Sequence, residues 1–176
     1  MIELPVVVMG VAGCGKSLVG ARLAQSLQCQ MIEGDHYHPK ENVLKMRSGI
    51  SLDDQDREPW LARLGALMAS SSGNVVVSCS ALKRAYRERL RSFVPLLKFV
   101  YLEIDLATAA QRVGSRFEHL FPRSLVASQF ATLESPVEEA GVLPTSALLP
   151  LDAQVEAVMR WLGTPTLDSF KTRPTA

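Results

Sequence analysis

The sequence predicts an α/β protein built on a parallel sheet with helices on both faces, and three observations carry that prediction. Val6-Val7-Val8-Met9, Val75-Val76-Val77 and Phe99-Val100-Tyr101-Leu102 are short, almost wholly apolar runs, as strands buried on both faces should be. The segments between them place apolar residues three and four apart, the spacing of helices that cross back over a sheet. Between the first strand and the first helix, Gly10-Val11-Ala12-Gly13-Cys14-Gly15-Lys16-Ser17 fits the phosphate-loop pattern G-x-x-x-x-G-K-[ST] without mismatch.

That loop sets the first functional expectation. Its backbone N–H groups and the positive end of the following helix are arranged to gather an anion. Residues Gly10 to Ser17 are therefore expected to bind a nucleoside triphosphate. Lys16 would reach the β- and γ-phosphates, and the Ser17 hydroxyl would sit on Mg²⁺.

The remaining elements follow in order. Val19, Leu23 and Leu27 mark one face of the first helix, and Cys29 to Glu33 reads as a short second strand ending at Gly34-Asp35-His36-Tyr37-His38-Pro39. Pro39 opens a polar helix with Val43, Leu44 and Met46, closed by Ser48-Gly49. The next helix carries Trp60, Leu64, Leu67 and Met68; Pro59 is expected in its first turn, with Asp54 or Asp56 as cap. Ser71 to Asn74 is a turn before the third strand, and Leu82, Tyr86 and Leu90 line the helix after it, with Lys83, Arg87 and Arg91 on another face. Asp105 caps a helix from Leu106 to about Arg116. Phe117 to Pro122 breaks the pattern, and a further helix runs to about Glu134 with Val126, Phe130 and Leu133 on one face. Ser135 to Pro150 holds three prolines, and a fifth strand is expected within 147–151. Asp152 should cap a last helix that Gly163 and Pro165 end, leaving 164–176 as a loose tail.

Composition bounds the function. At 176 residues, with 47% hydrophobic and 21% charged residues, the chain is one globular domain. A net charge of +1 gives no ground for nucleic-acid binding. Cys14, Cys29 and Cys79 form no C-x-x-C pair and leave one unpaired in any connectivity, which suits a reducing cytoplasm. Glu3 stands where a secretory leader would be basic, and no stretch approaches the ~18 apolar residues of a membrane span. A membrane is therefore not expected as a partner.

Several side chains are candidates for chemistry. Asp35 should emerge beside Lys16 at the carboxyl edge of the sheet, where it would accept or orient the proton of an attacking hydroxyl, or else cap the next turn. His36 and His38 share a face with Asp35 in an extended segment, but no second Cys/His cluster completes a zinc set. The third strand ends in Ser78-Cys79-Ser80 rather than a metal-holding aspartate, which argues against motor and switch ATPases and is compatible with small kinases. Among the bases, Lys83 and Arg84 start a helix at the sheet edge. Arg112 and Arg116 lie four apart, leading into an irregular segment, which is the layout of a lid whose arginines close over transferring phosphate.

Taken together these motifs resemble the gluconokinases, small phosphate-loop kinases of the nucleoside-kinase type. The resemblance rests on the Gly10–Ser17 loop, on Gly34 to Pro39 with Asn42, Lys45 and Met46, and on Gly49, Leu52, Asp54, Asp56, Arg57, Pro59, Trp60 and Leu61. It continues through Cys79-Ser80-Ala81-Leu82-Lys83 with Tyr86 and Arg87, Arg116 with His119, and Ser128-Gln129-Phe130 with Thr132-Leu133-Glu134. It implies phosphorylation of D-gluconate by ATP with Mg²⁺. It also implies a five-stranded parallel sheet, a helical substrate-side insertion over about 36–70, a lid over about 116–134, and often a homodimer. Carried residue by residue, it puts Lys16, Asp35 and Arg116 in catalysis and Arg112 at ATP. Asp35, His38, Arg57, Lys83, Arg87 and His119 fall at the substrate. Two departures stand out: Glu118 precedes His119 where the family has glycine, and Pro144, Thr145 and Ser146 dilute the last strand.

Overall fold

The computed structural model describes residues 5–115 and 123–163. Five strands form one parallel sheet in the order β2-β3-β1-β4-β5: β1 Val6–Met9, β2 Gln30–Glu33, β3 Val75–Ser78, β4 Lys98–Glu103 and β5 Val142–Ser146. Central β1 pairs with β3 (Val7 opposite Val77) and with β4 (Val7 opposite Phe99), and every residue of β1 and β3 is buried. Such strands are apolar along nearly their whole length, Ser78 at the end of β3 excepted, which is why they were legible as continuous runs. The chain leaves β1 in one direction to reach β2 and leaves β3 in the other to reach β4. The switch point therefore falls at the carboxyl end of β1, where open α/β sheets bind ligands.

Seven helices accompany the sheet among the described residues: α1 Lys16–Leu27, α2 Lys40–Arg47, α3 Asp54–Ser70, α4 Arg84–Phe93, α5 Leu106–Gly114, α6 Val126–Thr132 and α7 Leu151–Trp161. Asp105 caps α5 as expected, accepting from Thr108 N at 2.8 Å.

Three local expectations need correction. First, α3 starts before Pro59's neighbourhood, at Asp54, because Asp53 and Asp56 form a reciprocal capping box. Asp53 is thus the cap, and Pro59 sits inside the helix, where it offers no N–H to the Gln55 carbonyl. Second, the fifth strand is Val142–Ser146 rather than within 147–151. Gly141 O accepts from Phe99 N and Ala147 N donates to Glu103 O, so Pro144, opposite Tyr101, turns its nitrogen outward from the sheet. A proline is tolerated in an edge strand for that reason. Third, α7 has Pro150 at its cap position, and Asp152 instead pairs with Arg22 of α1 at 3.1 Å.

Candidate active site

The phosphate loop joins β1 to α1, and its turns are made by Gly13 and Gly15 at φ 84° and 99°, which side chains rarely adopt. A Cβ on Gly13 would also lie 2.7 Å from the Ala109 carbonyl oxygen. Lys16 folds back so that Nζ donates to Val11 O at 3.0 Å, and Gly10 N donates to Ser80 O at 3.3 Å, anchoring the loop to the segment after β3. Arg112 reaches the loop from α5, donating to Gly13 O at 3.5 Å and to Ala147 O at 3.2 Å.

Asp35 is carried by a 3₁₀ turn, Gly34–Tyr37, directly after β2. Three bonds fix that turn. Trp60 Nε1 donates to Gly34 O at 2.8 Å, Gly34 N donates to Ser78 Oγ at 3.2 Å, and the Ser78 hydroxyl donates to Glu33. Gly34 presses so closely on the Ser78 carbonyl that any Cβ would overlap it. The Asp35 side chain itself is 59% exposed and faces the cleft.

His38 follows at the end of the turn, its side chain 3% exposed and stacked on Trp60 with ring centroids 4.0 Å apart. Asn42 Nδ2 donates to Asp56 O at 2.7 Å and lies 3.4 Å from His38 Nδ1. An amide nitrogen can only donate, so Nδ1 accepts and the ring proton belongs on Nε2, which is 4.0 Å from Asp35 Oδ1. Burial first, and the Arg57 charge second, push His38 down to about 4, so the ring is neutral near pH 7.

Arg57, in the first turns of α3, is 6% exposed. Nε donates to Leu52 O at 3.4 Å and the guanidinium lies 5.6 Å from the Tyr86 ring centroid, while its terminal nitrogens have no hydrogen-bond partner among the described residues. Lysine and arginine donors converge with one carboxylate here. Lys16, Ser17, Asp35, His38, Arg57 and Gln129 all line one cavity of about 430 Å³. A larger groove of about 990 Å³ beside the start of β2, at Gln28–Gln30 and Ser70–Ser72, has no charged side chain among the described residues of its wall.

Two expected substrate ligands, Arg87 and Lys83, are engaged by the protein's own groups. Arg87 is 0% exposed and lies beneath the loop after β3. Its guanidinium donates to Ala81 O (2.8 Å), Leu82 O (2.9 Å) and Glu134 O (3.0 Å), and pairs with Glu139 at 2.6 Å. All its donors are used within the protein, so it holds Ala81 in its left-handed turn (φ 43°) rather than binding substrate. Burial works to raise the Glu139 carboxyl, but Arg87 and Arg91 outweigh it and hold it below the usual range. Lys83 is held by Asp54 at 2.7 and 2.9 Å, outside the cavity wall, and Tyr86 donates to the same carboxylate. Asp54 is accordingly held low, by its bonds from Lys83 and Tyr86.

Arg116, His119 and Glu118 lie outside the described residues, as does the tail from 164. Among the described residues no group of three His, Cys, Asp or Glu side chains is placed to hold a metal. Sequence reasoning named Gln129, Asn42 and Trp60 only as motif residues and gave them no role: Gln129 Oε1 of α6 accepts from Ala12 N at 2.7 Å, and Asn42 and Trp60 support His38 and the Asp35 turn. Gln129 had a readable signal: it continues the Val126, Phe130, Leu133 stripe with a polar residue.

With this geometry in place, likeness to known proteins is informative. An AAA-domain family profile matches residues 6–138. The chain is 40% identical over 157 residues to the thermoresistant gluconokinase of Escherichia coli K12, covering 87% of this chain and 90% of that one. A crystal structure of a gluconokinase from Sinorhizobium meliloti 1021 superposes with a TM-score of 0.80 at 40% identity, over 97% of this chain and 98% of that one. Shikimate kinase from Bacteroides thetaiotaomicron, at 14% identity and TM-score 0.66 (92% of this chain, 99% of that one), shares the fold alone. A phosphate loop facing Asp35 and Arg57 across one cavity, on a chain so similar to these proteins over most of its length, places the protein in the gluconokinase family.

Proposed function

We propose that the protein transfers the γ-phosphoryl group of ATP to D-gluconate, giving ADP and 6-phospho-D-gluconate. The observation that carries this reading is the single cavity in which the phosphate loop meets a carboxylate and an unpaired buried arginine. Lys16 neutralises charge on the transferring group. Asp35 takes the proton of the attacking hydroxyl as the new P–O bond forms and the bond to ADP breaks. His38, neutral with its proton on Nε2, donates to a substrate oxygen beside Asp35. Arg57 supplies the two parallel donors that match the gluconate carboxylate. Arg112, between Gly13 and Ala147, belongs to the nucleotide side.

The residues present suit magnesium. Ser17 offers one hydroxyl to the cavity, and the Ser78 hydroxyl is engaged with Glu33 and Gly34. A metal there would be held by Ser17, water and the nucleotide's own oxygens, a ligand set Mg²⁺ accepts, and would supply charge neutralisation. Arg116 and His119 are assigned to a lid over residues 116–134 by resemblance, and the homodimer likewise; light scattering in solution tests the latter. Three free thiols, with no helix among the described residues long and apolar enough to cross a membrane, support assignment to the cytoplasm.

Coupled ADP release measured against a panel of sugar acids and a neutral polyol of equal length tests the whole reading. Turnover with gluconate well above the others is expected. Turnover with shikimate or a nucleoside monophosphate instead, or binding of ATP without turnover of any acceptor, overturns it.

A further inference from the structure

We propose that Gln129 is a catalytic residue whose side-chain amide donates to the terminal phosphoryl group, so that the site distinguishes a triphosphate from a diphosphate. The inference rests on the kinase reading above and assigns a residue that reading leaves idle. Gln129 is 8% exposed and reaches from α6 to the phosphate loop, where Oε1 accepts from Ala12 N at 2.7 Å. A backbone N–H can only donate, so this bond fixes which end of the amide faces the loop. The Nε2 group is thereby turned away from Ala12. It has no hydrogen-bond partner among the described residues, and the side chain lines the cavity that holds Lys16, Asp35 and Arg57.

An amide whose carbonyl end is fixed on the loop, and whose two donors are unclaimed by the described residues, is set to give hydrogen bonds to an acceptor that enters the cavity. The one carboxylate in the cavity wall is Asp35, which the proposed reaction uses on the hydroxyl side, so the protein acceptor nearest in kind is taken and a ligand oxygen displacing water is the fitting partner. Ala12 immediately precedes the Gly13–Ser17 N–H groups that gather phosphate, so the nearest acceptors brought by ATP are oxygens of its last phosphate. A donor held against the loop backbone, rather than on a free side chain, needs no reorganisation when charge develops on the transferring group.

The test uses the full chain with two near-isosteric variants. Gln129→Glu keeps an oxygen for Ala12 N but replaces both donors with a negative acceptor; Gln129→Met keeps length and removes all hydrogen bonding. Affinities for ADP and for a non-hydrolysable ATP analogue are measured with Mg²⁺, alongside kcat and thermal midpoint. Gln129→Glu is expected to weaken the analogue about 10-fold or more with ADP within about 2-fold, and to lower kcat by about 10²–10³-fold, the range for loss of one transition-state donor. Gln129→Met should move the same ratio in the same direction by less. Equal losses for both nucleotides would show that Gln129 merely braces the loop, and unchanged ratios and kcat would remove it from the site. Either outcome overturns the proposal. The nucleotide ratio is read without gluconate, so it stands or falls apart from the choice of acceptor.

Discussion

Replacing Arg57 with leucine separates a residue kept for a ligand from one kept for the fold. The Arg57 guanidinium is nearly buried, yet within the described protein it makes one long bond, Nε to Leu52 O at 3.4 Å, and a cation–π contact with Tyr86. Removing the buried partner of a carboxylate costs about 2–5 kcal/mol. At 1.4 kcal/mol per decade that is roughly 30- to several-thousand-fold in kcat/KM for gluconate. A neutral polyol of the same length, having no carboxylate, should lose far less. Stability should hardly move: about 1 kcal/mol of cation–π and hydrogen-bond energy is lost, and the desolvation of a charge is relieved. For a domain of this size that is a shift of roughly 2–4 °C or less. The same variant has a second readout. Arg57 is one of two causes that depress His38, so the histidine should titrate above its present value of about 4, with burial still holding it below 6.5. Its ring resonances followed by NMR give that number directly. If the preference for gluconate over the polyol survives Arg57→Leu, the assignment of the carboxylate site is wrong.

Other perturbations give distinct signatures. Asp35→Asn should lower kcat by about 10²–10⁴-fold with little change in melting, because it keeps size and removes proton affinity; a variant with near-normal kcat would make Asp35 a mere turn residue. Glu139→Ala strips the partner from a fully buried Arg87 and should cost about 3–5 kcal/mol, seen as a loss of roughly 6–20 °C in Tm, while KM for gluconate stays near normal. Finally, His38 makes stability depend on pH in a defined window. Its folded value, about 4, lies below the unfolded 6.5, so its contribution is complete above 6.5 and is lost as pH falls towards 4. The total is about 3 kcal/mol by the 1.36 kcal/mol per unit relation, and denaturant titrations of His38→Gln should show that slope abolished.

What the sequence disclosed follows the range of the interactions involved. The phosphate loop and the buried strands are written in consecutive residues, so pattern alone located them. Asp35 was placed correctly because β2 and β1 end at the same edge of a parallel sheet. Arg87 was misjudged because its partner, Glu139, lies 52 residues away; a basic residue on a helix looks solvated until the acid that buries it is known. The Lys83 pairing with Asp54 was out of reach in the same way, its partner lying 29 residues away. The fifth strand was hidden by Pro144, which argues against a strand unless one knows that the strand is at the sheet's edge. At the start of α3 the competing signals were both present, and the Asp53–Asp56 box outweighed the proline.

Pro144 also bears on what the outer margin of the sheet can accept. Along the outer side of β5 the residues free to donate are the even-numbered ones, and the middle one of Val142, Pro144 and Ser146 has no hydrogen to offer. A neighbouring strand laid against that margin would leave a carbonyl of its own without a donor at the centre of the ladder. The opposite margin, β2, spans only four residues, a short edge of the kind that blunts strand addition. A second copy laid along β5 would meet a ladder short of one hydrogen bond at its middle rung, a cost written into the edge by a single missing hydrogen atom.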